Sequence, residues 1–207
     1  MNINDTGFIL KKIEYGDYDF IATIYTKKTG KASFIIKNAR KSKKRFAGKL
    51  EPFNLVNINF KHNGIVQSGK IINDIQLNSD FNNTNLNKEL IILCSLINEY
   101  IDSFEINEIQ NHETFNIVEI FFSKISSLNL VSALDAVLEF QITYLQTLGL
   151  KPTSKELTKI NKQKVELSKE KIKANIASRI KFIKIIAKFS QFHSGKELNS
   201  IQYLDLL

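Results

Sequence analysis

Between Lys37 and Phe46 the chain places six cations in ten positions, Lys37, Arg40, Lys41, Lys43, Lys44 and Arg45, with no acid among them. Ammonium and guanidinium groups at this density make no bonds of their own; they neutralise phosphate. A strand that gives up its condensed counterions to such a run binds with an affinity that falls steeply with salt. Most charge runs are only solvated loops, but the lack of acidic partners and the strand-rich surroundings favour phosphate contact here. A second cationic group is Arg179, Lys181, Lys184 and Lys188. Helical spacing puts its three lysines on one face beside an apolar stripe, a pattern open to DNA, a membrane surface or an acidic partner as well as to plain solvation.

Covalent chemistry has no comparable candidates. His62, His112 and His193 lie in unrelated contexts, without the spacing of a zinc site or a catalytic triad. Asp17 and Asp19 straddle a turn, and Glu105 and Glu108 sit at a helix end, where both pairs read as solvated polar residues. Neither phosphate-cradling glycine motif is present. The single Cys94 rules out a disulfide within this sequence and any multi-cysteine zinc site; on an apolar helix face it reads as an inert buried thiol. The expectation is a protein that is not an enzyme and uses no cofactor and no metal. Phe20, Phe34, Phe53 and Phe60 read as strand core. Tyr15 and Tyr18 flank the first turn, where packing is the expected role and stacking on bases is open to them if exposed.

The elements that must position these groups divide the chain in two. Residues 1–80 carry 14 Lys/Arg against 7 Asp/Glu, residues 81–150 carry 2 against 9, and residues 151–207 carry 13 against 5. Two regions are thus suited to polyanions, around an acidic middle with another task. The longest uncharged stretch, Phe140 to Leu150, is eleven residues, against the roughly 18–20 needed to span a bilayer. With no signal-peptide pattern at the start, a cytoplasmic protein without a membrane role is expected.

Strand periodicity fills the first part: Thr6–Tyr15, Tyr18–Thr26 with Phe20, Ala22, Ile24 and Thr26 on one side, and Lys31–Lys37 after a turn at Lys27-Lys28-Thr29-Gly30. Phe53–Lys61 and Ile65–Leu77 follow, joined by the Asn-Gly turn of His62-Asn63-Gly64. Five short antiparallel strands suit a small closed barrel of the OB type. The Asn- and Ser-rich stretch Asn78–Asn87 marks a boundary, giving an OB-fold domain over 1–79 and a helical domain over 80–207, an α+β chain. Helical stripes beyond it are Leu90, Leu93, Cys94, Ile97 and Ile101; Phe115, Val118, Phe122 and Ile125; and Leu134, Val137, Leu138, Ile142, Leu145 and Leu148, stopped by Gly149 and Pro152. Lys155–Lys173 is a helix or a loop, Ile172, Ile176, Ile180, Ile183 and Ala187 form a further stripe, and Leu198–Leu207 closes the domain.

Several segments, in order along the chain, resemble the RecO family of DNA recombination and repair proteins. They are Thr6-Gly7-Phe8-Ile9-Leu10, Tyr15-Gly16-Asp17-Tyr18-Asp19, Ile24-Tyr25-Thr26 with Gly30-Lys31, and the basic run with Phe46-Ala47-Gly48-Lys49-Leu50-Glu51-Pro52-Phe53. Leu148-Gly149-Leu150-Lys151-Pro152 and His193-Ser194-Gly195-Lys196-Glu197-Leu198-Asn199-Ser200 continue the likeness. The resemblance implies binding to single- and double-stranded DNA, strand annealing, and action with RecR in helping RecA replace single-strand-binding protein (SSB) on gapped DNA. It carries DNA contact onto Lys37, Arg40, Lys41, Lys43, Lys44 and Arg45, and implies a pocket for the SSB C-terminal tail in the helical domain, whose residues do not match one by one. Two departures stand out. Asn38 occupies a position where the family usually has Gly, leaving the backbone there free to differ. Residues 153–207 lack the four zinc-binding cysteines of many members, so other packing is expected to hold that region without zinc. Outside the resemblance, an RNA-binding OB protein acting in translation or a protein-interaction scaffold would share the same barrel and basic loop.

Overall fold

The computed structural model describes residues 2–42, 44–61, 70–79, 87–162, 164–166, 168–172 and 174–207. The strands β1 (Asn2–Tyr15), β2 (Asp19–Thr26), β3 (Gly30–Ile36), β4 (Leu55–Lys61) and β5 (Lys70–Ser79) close into a barrel in the order β1-β2-β3-β5-β4. Four ladders are antiparallel, and β3 meets β5 in parallel at Phe34↔Lys70 and Ile35↔Ile71. The all-antiparallel expectation is corrected by parity: a closed ring with an odd number of strands cannot alternate direction all the way round. This is the five-stranded Greek-key closure of an OB barrel. The Asn-Gly turn expected at residues 62–64 lies outside the described residues.

The alternation read from β2 holds. Ala22 stands opposite Phe34, Ile24 opposite Ala32 and Phe20 opposite Ile36, all directed into the barrel core. Of the two faces offered by β4, Val56, Ile58 and Phe60 are the inward set, with the Phe60 ring edge-on to Phe34 at 5.0 Å.

In β1 and at the end of β2 the second face is covered as well: Phe8, Ile9 and Leu10 are all buried, and so is Tyr25. The cover on the second face comes from the segment Glu105–Phe115, which belongs to the same compact unit as Met1–Asn85. The Phe115 ring lies 5.7 Å from Phe8 and 5.6 Å from Tyr25. The Tyr25 hydroxyl meets Thr114 Oγ1 at 2.5 Å and donates to the Asn111 carbonyl at 3.2 Å. Buried in this way, the Tyr25 phenol is held well above its ordinary pKa by desolvation. Glu108 N donates to the Lys31 carbonyl at 2.8 Å, and the Glu108 carboxylate pairs with the buried Lys70 ammonium. Close approach requires Gly30: it has φ +76°, and a Cβ there would stand 2.1 Å from the Ile109 carbonyl oxygen.

The second compact unit comprises Leu86–Phe104 and Asn116–Leu207. Its elements are α1 (Lys88–Phe104), α2 (His112–Ile125, entering the unit at Asn116), α3 (Leu130–Thr147), α4 (Ser154–Asn161), α5 (Lys169–Ile172), α6 (Ile176–Ser194) and a 3-10 stretch, Asn199–Leu206. The expected faces of α1 and α2 are buried throughout. In α3, Leu134, Val137, Leu138 and Leu145 are buried as expected, Ile142 and Leu148 only partly. Phe140, Gln141 and Tyr144 are buried as well, since α3 packs on both α1 and α6. Asn129 caps its start through Ser132 N, and Gly149 at φ +75° follows its end.

Tyr100 of α1 is the hub of this core. Its hydroxyl accepts from Gln141 Nε2 and Ser190 Oγ, both at 2.8 Å, and its ring stands edge-on to Phe140 and Tyr144. The stripe expected along the last helix is shifted: Ile176 is exposed and Ile180 partly so, while Arg179, Phe182, Ile183, Ile186 and Ala187 are buried. With isoleucine at so many positions several stripes were available, and the Asn175 cap with the pull of Phe182 and Phe189 selects this one. The Cys94 thiol is fully buried, and desolvation pushes it up to about 12. Among the described residues no helix is long and apolar enough to cross a membrane.

Candidate nucleic-acid interface

The basic run lies between β3 and β4, where simple solvation would leave a free arm. The structure shows a pinned loop. Ala39, Phe46 and Leu50 are buried and join the barrel core, so the intervening cations are held outward by apolar anchors on both sides of them. Asn54 Nδ2 donates to the Gly48 carbonyl at 2.9 Å and Lys49 Nζ to the Ile75 carbonyl at 2.9 Å, fixing the return to β4.

A second set of bonds clamps this loop to the β1–β2 turn. Arg40 N donates to the Tyr18 carbonyl at 3.0 Å, and Arg40 Nη1 to the Asp17 carbonyl at 3.1 Å. Arg40 Nη2 reaches Glu14 at 3.1 Å, and Asn38 N donates to Asp19 Oδ1 at 2.7 Å. Asn38 has φ +56°, the left-handed conformation that glycine adopts freely and asparagine better than most residues. The departure from the family's usual Gly therefore leaves the backbone in a glycine-like conformation.

The cations of the run divide by task. Arg40 is a clamp between two loops. Lys37, Lys41, Lys44 and Arg45 are exposed, and no described carboxylate pairs with any of them. Lys43 lies outside the described residues. The Lys41 ammonium sits 3.2 Å above the centroid of the Tyr18 ring, and the Arg45 guanidinium 4.8 Å from that of Phe46. Tyr15 and Tyr18 are 53 % and 44 % exposed, so neither is a core residue. Exposed cations and exposed aromatic rings thus lie together beside the β1–β2 turn.

The lysines of α6 make a different surface. Lys181 and Lys188 are exposed, and Lys184 pairs with Asp205 beside a groove of about 390 Å³ whose walls include Ile180, Ile185 and Leu204. Arg179 does not belong to it. Its side chain is buried, and its guanidinium binds the Asp135 carboxylate through Nε at 2.9 Å and Nη2 at 3.2 Å. Reading cations from helical spacing could not show this; a single Asp at position 135 carried no signal of its own. The anchors Ala39, Phe46 and Leu50 could have been found, as apolar residues interrupting a charged run.

Comparison with known proteins agrees with this geometry. Residues 1–73 match the family model described as the N-terminal domain of recombination protein O. A protein of Desulfatibacillum aliphaticivorans named DNA repair protein RecO is 35% identical over 116 residues, 56% of this chain and 45% of that protein. Its namesake in Desulfosudis oleivorans is 28% identical over 146 residues, 70% of this chain and 56% of the relative. That of Myxococcus xanthus is 44% identical over 50 residues, 24% of this chain and 20% of the relative. The chain spans about half the length of the first two of these relatives. The barrel lies where the family model matches, and these relatives share one name, so the likeness of this chain is to the RecO family.

Proposed function

We propose that the protein acts in DNA repair and recombination by binding DNA through the barrel's clamped basic loop, without making or breaking a covalent bond. The observation that carries this reading is the patch of exposed cations, with no described carboxylate paired to Lys37, Lys41, Lys44 or Arg45, and of exposed tyrosines on an OB barrel. Lys37, Lys41, Lys44 and Arg45, with Lys43 beside them in sequence, neutralise phosphates; release of condensed counterions supplies the affinity. The lysines of α6 offer a second polyanion surface, or a docking site for an acidic partner. Binding two strands lowers their mutual repulsion and raises their effective concentration, which is enough for annealing. In the cell the protein works with RecR, recognises the SSB tail through its helical part and helps RecA replace SSB, as the family resemblance implies.

Reversing Lys37, Lys44 and Arg45 to Glu tests the reading. Affinity for both single-stranded and duplex oligonucleotides is expected to fall steeply. The slope of log K against log salt should flatten by about 0.7 for each single-strand phosphate that is no longer neutralised. Unchanged affinity and slope, measured by fluorescence anisotropy across a salt series, would remove the loop from the interface. Annealing of SSB-coated complementary strands by the wild-type chain tests the finer role.

A further inference from the structure

We infer that Tyr18 is a base-stacking position, and that it gives the loop its preference for unpaired strands over duplex. The inference rests on the DNA-binding reading above and assigns a residue and a selectivity within that site.

The backbone that carries the Tyr18 ring is held in place before any ligand arrives. Its own carbonyl accepts Arg40 N, the neighbouring Asp17 carbonyl accepts Arg40 Nη1, and the Asp19 carboxylate accepts Asn38 N, so both flanks of the residue are tied to the basic loop. The backbone that carries the ring is thus fixed on both sides, and the residue is 44 % exposed. One face lies under the Lys41 ammonium at 3.2 Å from the centroid. A base that stacks on this ring takes the face Lys41 leaves uncovered, or displaces the ammonium, which is then released towards phosphate. Tyr15, 53 % exposed at the end of β1, supplies a further aromatic surface on the same hairpin.

Stacking on a side chain requires an open base face. Unpaired strands offer it at every nucleotide, whereas duplex bases are already stacked on one another and meet the protein through phosphates. The cations therefore serve both forms of DNA and the ring serves one. The two contributions separate by salt: counterion release sets the slope, and stacking adds affinity without changing it.

The experiment compares Tyr18→Ala, Tyr18→Leu and Tyr18→Phe in the full chain, against labelled oligothymidylate and a blunt duplex of equal length. Alanine and leucine are expected to weaken single-strand binding by about tenfold, to leave duplex binding within about twofold and to leave the salt slope unchanged; phenylalanine keeps wild-type binding. Leucine preserves bulk, so equal losses for alanine and leucine trace the effect to the aromatic face. Overturning results are single-strand affinity unaffected by alanine, equal losses on both probes, or leucine as good as tyrosine. Failure of the wild-type chain to bind either probe would instead sink the DNA-binding reading itself. Loss of binding in the Lys37/Lys44/Arg45 variant together with unimpaired Tyr18→Ala would sink only the stacking inference.

Discussion

Residues 37–45 hold six cations and residues 179–188 hold four, and by charge count each is a candidate for phosphate. Their surroundings separate them. In the loop, three buried apolar residues supply the anchoring, and among the described cations of residues 37–45 only the side chain of Arg40 makes a described hydrogen bond or ion pair. On α6 the packing of the helix itself takes Arg179 inward to Asp135, and Asp205 takes up Lys184, leaving Lys181 and Lys188. A loop anchored by hydrophobic side chains keeps its charges available, while a helix packed along most of its length uses some of them to settle its own buried polar groups.

The largest expected effect tests that division. Arg179→Ala leaves Asp135 facing a vacated, partly buried site. Removing one partner of a buried pair destabilises by roughly 3–5 kcal/mol, more than the pair itself contributes relative to an apolar replacement. Urea denaturation of the full chain should show such a loss with DNA affinity of the folded protein unchanged. Lys44→Ala should do the reverse, staying within about 0.5 kcal/mol of wild type in stability, as surface substitutions do, and weakening DNA binding. A large stability loss at Lys44, or an affinity loss at Arg179 in the folded state, would erase the contrast.

A smaller effect sharpens the description of the loop. Asn38 is held at φ +56° while its N–H serves Asp19. Asn38→Gly should leave stability within about 0.5 kcal/mol, because the gain in backbone comfort is offset by the entropy of a freer unfolded chain. Asn38→Val, β-branched in a left-handed conformation, should cost about 1–2 kcal/mol. If valine were as well tolerated as glycine, the clamp between the two loops would not need this conformation.

Those contrasts also mark what the sequence could and could not convey. Strand alternation exposed the barrel because a strand with one buried face has a period of two, and Ala22, Ile24, Phe34 and Ile36 obey it. It was silent about Glu105–Phe115, because covering the outer face of β1 and β2 turns an alternating pattern into the continuous burial of Phe8, Ile9 and Leu10. That cover comes from a segment distant in the chain, and local periodicity carries no record of it. In the site, the cation run was legible as composition. The clamp was not, since it is built largely from backbone groups of Asp17, Tyr18, Asn38 and Arg40 that any sequence would provide. Tyr18 stood in view as an aromatic beside a turn, and its exposure is seen only in the structure.

The smallest expected effect concerns the other region. Asp205 pairs with Lys184 at the edge of the α6 groove, and Asp205 is largely exposed, so the pair adds little to stability, within about 0–1 kcal/mol. Asp205→Asn should therefore leave the denaturation curve almost unmoved. It does remove the acid paired with Lys184, and if the groove receives a polyanion the released lysine joins Lys181 and Lys188 in attracting it. The expected gain in affinity is about two- to threefold at low salt, fading towards 0.15 M and above as the Debye length falls to about 8 Å. Such a gain would give the two basic regions a shared ligand and separate them only by how many of their charges are already paired. A stability loss instead, with affinity unaltered, would assign the Lys184–Asp205 pair to holding the 3-10 stretch against α6, and would leave the barrel loop as the polyanion surface.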